Sequence, residues 1–193
     1  SSVSGTTVEL HDRLEHMGGL NGTLTTAQAV AIDFNGVTAS NMVERIGDAN
    51  YSDIQWWLEW YTATGATAVT ATVAVTYNDG TTGTIAVSLA ATRPAGFMQM
   101  LNGLMPAAAA GKYIRAVNSV TLSATTGTAG SFGVTATRPR MVMPTAVANK
   151  NEVFDWALLG LPEIYNGSCL FPIVIAYTSS TGTVRGGGKI AHG

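Results

Sequence analysis

Apolar and polar residues alternate along most of this chain, and turn residues interrupt the alternation at short intervals. The clearest unit is TAVTATVAVTYNDGTTGTIAVSLAAT, residues 67–92. Val69, Ala71, Val73 and Val75 share one face, and Thr70, Thr72, Ala74 and Thr76 share the other. A period of two is the signature of a strand with one buried side. NDGTTG then supplies the residues of a tight reversal, and Ile85, Val87 and Leu89 resume the alternation. This predicts a β-hairpin. Just before it, DIQWWLEWYT (53–62) places Ile54, Trp56, Leu58 and Trp60 on a wholly apolar face. Gln55, Trp57, Glu59 and Tyr61 fall on the opposite face.

Further strands are predicted over residues 27–34, 42–47, 113–125, 130–137 and 170–179, making about eight. That is the number expected of a jelly roll or a similar sandwich. Two segments depart from the β texture. Phe97–Met105 is expected to form a short helix stopped by Pro106, and Glu152–Leu159 a second, capped by Asn151. Thr-Arg-Pro occurs twice, at 92–94 and 137–139, each time after a strand pattern that proline is expected to end. The chain therefore reads as all-β: a β-sandwich of jelly-roll type over 24–181, with one or two short helices. An extended arm is expected over 1–23 and a glycine-rich tail over 182–193.

Composition adds one physical point. Of 193 residues 46% are hydrophobic but only 11% charged, against about 25% in a typical soluble domain. So little charge suggests that part of the surface is covered by copies of the chain or by a larger partner. The net charge is −2 with no basic run, which argues against a nucleic-acid partner. No apolar run reaches membrane-spanning length. The N-terminus lacks the basic and apolar regions of a signal peptide. One cysteine, Cys169, excludes an intrachain disulfide and is expected to be a buried, inert thiol.

The most polar stretch is ELHDRLEHMGGLNGT, residues 9–23. His11 and His16 are five apart, so neither helix nor strand puts them on one face, and the spacing fails the zinc motifs. GTVRGGGK (182–189) departs from the phosphate-loop pattern at two positions, Thr183 and Ile190. No motif names a reaction, so no enzyme activity, cofactor or metal is expected. The reading preferred here is an arm whose His11, Asp12, Arg13, Glu15 and His16, together with Arg185 and Lys189 of the tail, make contacts between subunits. A carbohydrate-binding module stacking sugar on Trp57 and Tyr61 is the reading from another class.

The order LHDRLEHMGGLNGT, then WWLEWYTATGATAVTATVAVTYNDGTTGT, then SVTLSATTGTAGSFGVTATRPR resembles structural proteins of tailed-bacteriophage heads. The resemblance covers most of the chain but is one of texture and order, without a catalytic motif. It implies a small β protein that decorates or cements a capsid shell, commonly as a trimer. Its partners would be its own copies and a major capsid protein, without nucleic acid or membrane. It would be made in the bacterial cytoplasm and end on the virion surface. A tail-tube or head–tail connector protein is the alternative place on the particle.

Overall fold

The structure is a computed structural model and describes residues 6–38, 40–127, 130–145 and 152–176. The chain divides into two compact units. The larger comprises residues 12–138 and 165–169, and the smaller residues 1–11, 139–164 and 170–193. Among the described residues the elements are β1 (Thr6–Asn21), β2 (Gln28–Asp33), α1 (Ser40–Ile46), β3 (Gln55–Trp60), β4 (Val69–Tyr77), β5 (Thr82–Leu89), β6 (Met98–Met100), β7 (Ile114–Leu122), β8 (Ser131–Thr145) and β9 (Leu170–Ala176). Two 3-10 turns, Asn102–Leu104 and Ala107–Ala109, separate β6 from β7.

The strands form two antiparallel sheets, ordered β6-β3-β8-β1-β9 and β2-β7-β4-β5. Four pairs are nested: β4 with β5, β3 with β6, β2 with β7, and β1 with β8. The innermost is the predicted hairpin, in register from Val69↔Leu89 to Thr76↔Thr82. Its turn is closed by Asp79, whose Oδ1 accepts from the Thr81 amide at 2.9 Å and the Thr81 hydroxyl at 2.6 Å. These bonds and Lys112 hold the Asp79 carboxyl well below the usual carboxylate range.

Within the larger unit the two sheets enclose one core. Trp56, Leu58 and Trp60 of β3 meet Val73, Val75, Ile85 and Val87 of the hairpin, as the alternation requires. Trp60 stacks on Phe132 with ring centres 4.3 Å apart. The Trp56 indole N–H reaches the Ile114 carbonyl at 2.9 Å, whereas the Trp60 N–H is buried without a partner among the described residues.

Several elements differ from the sequence expectation. Residues 6–21 are not an arm but the long strand β1, with Leu14 and Leu20 in the core. Of residues 42–47, read as a strand, Met42–Ile46 belong to helix α1. The window is too short to separate the two periods. On the helix Met42, Arg45 and Ile46 turn inward while Val43 and Glu44 stay exposed, an i, i+3, i+4 pattern. The helix expected over 97–105 is instead β6 and a 3-10 turn. Met98 pairs with Glu59 and Met100 with Trp57. Asn102 completes the ladder with its side chain, accepting from the Trp56 amide at 2.7 Å and donating to the Ile54 carbonyl at 2.9 Å. No helix forms over the described part of the second segment, 152–159, and Asn151 lies outside the described residues. β8 runs through Pro139. The ladder to β3 ends at Gln55↔Thr137, so no β3 carbonyl opposite Pro139 requires the missing N–H. The expected tail, 182–193, lies outside the described residues.

Candidate functional site

Part of the polar stretch near the start of the chain is pinned inside the protein. Asp12 is 1% exposed and Arg45 6%. Arg45 reaches up from α1 and grips Asp12 with two bonds of 2.8 Å, from Nε to Oδ2 and from Nη2 to Oδ1. Asp12 also accepts from the Ser168 hydroxyl at 3.0 Å and the Cys169 amide at 2.8 Å, and Arg45 also donates to the Arg13 carbonyl. Burial alone would raise the Asp12 pKa, but Arg45, Cys169 and Ser168 together outweigh it and lower it. The carboxylate is saturated, so this cluster is a lock that joins β1, α1 and the 165–169 segment. The thiol of Cys169 is exposed, not buried as the sequence suggested.

The next polar group lies on the face of β3 turned away from the core. Arg13 Nη2 contacts both oxygens of Glu59 at 3.1 and 3.2 Å, and the Thr135 hydroxyl donates to Glu59 at 2.6 Å. Trp57 is only 5% exposed, and its indole N–H donates to the Thr137 hydroxyl at 2.9 Å. A sugar platform needs an open ring face, so the expectation placed on Trp57 is corrected. Tyr61 is half-buried against Gly133 and Gly18, where a Cβ would crowd its ring. Burial and the nearby Glu59 push its phenol up to about 12.

His11 and His16 do not converge. The His11 ring is fully buried, with Nε2 2.9 Å from Glu9 and Phe171 at 6.1 Å between ring centres. Burial lowers its pKa, against the raising effect of Glu9. His16 is exposed and meets the edge of Tyr61 at 5.9 Å. Among the described residues no group of three His, Cys, Asp or Glu side chains is placed to hold a metal ion. Of the proposed contact residues, Glu15 and His16 are exposed and Arg13 is partly so. His11 and Asp12 are buried, and Arg185 and Lys189 lie outside the described residues.

Large apolar side chains are also exposed. In the smaller unit Val153 is 92% exposed, Leu158 86% and Leu159 52%, with Phe154, Val142 and Val174 also exposed. These are six of the ten exposed large hydrophobic residues among those described. The 152–164 segment is folded by its own bonds: the Trp156 indole N–H reaches the Pro162 carbonyl, and the Leu158 amide reaches Asp155 Oδ1. Arg140 donates to the Glu163 carbonyl. Nothing in the sequence pattern separated these leucines and valines from core residues, because they sit in an ordinary apolar run. No helix among the described residues is long and apolar enough to cross a membrane. No family model, no curated protein and no solved structure matches this chain.

Proposed function

We propose that this chain is a structural protein of a bacteriophage particle, decorating or cementing the shell through contacts with its own copies and with the shell protein. The observation that carries the reading is the exposed apolar row Val153, Phe154, Leu158 and Leu159. Large apolar side chains left exposed along one short segment favour burial against another protein surface. Two further features support it. The nested pairing of β1 with β8, β2 with β7, β3 with β6 and β4 with β5 supports a jelly-roll reading, an architecture that recurs in capsid and lectin domains. The Asp12 carboxylate is saturated by four hydrogen bonds and Glu59 is paired with Arg13 and Thr135, an arrangement that suits a structural role for both.

The proposal takes the weak contacts of each copy to add up on a repeated lattice. Particles purified on a density gradient and inventoried by mass spectrometry should contain this chain at a fixed stoichiometry. Its absence from every particle fraction of an infected culture that expresses it would overturn the reading.

A further inference from the structure

The repeated Thr-Arg-Pro tripeptide has two different fates, and the difference points to a second kind of site. Arg138 is fully engaged: it binds Asp53 at 2.9 Å and the carbonyls of Glu44 and Arg45 at the end of α1. Arg93 is not. Among the described basic residues, Arg13, Arg45, Lys112, Arg115 and Arg138 make ion pairs, and Arg140 bonds the Glu163 carbonyl. The Arg93 guanidinium has no hydrogen-bond or ion-pair partner among the described residues, and its Nε is buried.

This arginine is nevertheless held in place. Its guanidinium lies 4.6 Å from the centre of the Phe97 ring. Its amide donates to the Thr64 hydroxyl at 2.8 Å, and its carbonyl accepts from the Thr64 amide at 2.9 Å. The Thr92 amide donates to the Gly65 carbonyl at 2.9 Å. Thr92 has φ 54, the left-handed region that a β-branched residue rarely occupies. Pro94 restricts Arg93 from the other side. A strained turn clamped by three bonds presents a guanidinium that, among the described residues, has a ring beneath it but no hydrogen-bond partner, and strain of this kind gathers where a chain grips a ligand.

Beside it is an open depression of about 370 Å³ lined by Arg93, Thr70, Ser88 and Ser123 over Val69 and Leu89. Thr70 and Ser88 face each other across β4 and β5. The Ser123 hydroxyl accepts from the Thr70 amide at 2.9 Å, which leaves its own proton to donate. Among the described residues no carboxylate lines the depression. A guanidinium fork matches the paired oxygens of a carboxylate or phosphate, and the hydroxyls suit a polyol.

We propose that this depression binds an oxoanion, carboxylate or phosphate, carried on a hydroxyl-bearing small ligand. The site is independent of the assembly reading and stands or falls separately. The test is an NMR titration of the labelled protein with glucuronate, inorganic phosphate and glucose. The readout is the Arg93 side-chain Nε–H and the amides of Thr70, Leu89 and Ser123. Glucuronate or phosphate should shift this set, and the anion acting at lower concentration names the ligand's charged group. Glucose should be much weaker. Arg93→Gln should lower the affinity by about tenfold or more, the loss expected for a charge-assisted pair. Arg93→Lys, which keeps the charge but not the fork, should fall between. Arg115→Gln, remote from the depression, should change nothing. Silence from both anions, shifts that persist in Arg93→Gln, or glucose acting as strongly as glucuronate would each overturn the proposal.

Discussion

Trp56 and Trp60 are alike in sequence context and both fully buried, yet they differ in one hydrogen bond. The Trp56 N–H is satisfied by Ile114, and the Trp60 N–H finds no partner among the described residues. Trp56→Phe leaves the Ile114 carbonyl unpaired, whereas Trp60→Phe removes an unpaired donor. Both lose packing, so the difference isolates the polar part. Trp56→Phe is expected to be the more destabilising by about 1–3 kcal/mol, measured by urea denaturation of the two variants. His11 gives a pH prediction at the same scale. Burial lowers its folded pKa below the ordinary 6.5, so the unfolded chain binds the proton more readily. Its contribution to stability is therefore full above pH 6.5 and is lost as pH falls from there toward the lowered folded pKa. His11→Gln should flatten this part of the pH profile. Denaturation midpoints at pH 8 and pH 5 for both proteins check it, and an equal drop in both would refute it.

At the scale of elements, β1 is the instructive case. Its charges read as an exposed arm because no sequence rule pairs Asp12 with a residue 33 positions away. Once α1 folds, Arg45 and Asp12 form a buried, doubly bonded pair. Asp12→Asn should cost about 3–5 kcal/mol, the effect of leaving a buried cation without its counter-charge, and a thermal melt will show it. Deleting residues 1–23 should unfold the larger unit, because it removes Leu14, Leu20 and Asp12 together. Retained far-UV dichroism and a cooperative melt in the truncated protein would contradict that. The hairpin was legible because alternation and an Asn-Asp-Gly turn agree. β6 was not, because three residues, Met-Gln-Met, carry no period and became a strand only by lying against β3.

For the whole molecule, scarce charge and an open apolar row lead to the same expectation. Light scattering over a range of concentrations should give a mass above that of one chain. The double variant Val153→Lys and Leu158→Lys should shift it to monomer while changing the stability of the folded chain itself by no more than about 0.5 kcal/mol, as for surface changes elsewhere. A wild-type protein that stays monomeric at every concentration would remove the principal support for assembly through this surface.

The sequence by itself determined the class of the fold, the hairpin of β4 and β5, and the core face of β3, because those follow from local alternation and turn chemistry. It also showed that charge is scarce. Only the tertiary structure decided which of the few charges are buried and which stand free. The two Thr-Arg-Pro tripeptides are identical in sequence, but Asp53 reaches Arg138, while among the described residues no carboxylate reaches Arg93. Partner choice for a side chain depends on what packing brings within about 3 Å, and contacts between residues far apart in the chain leave no period to read.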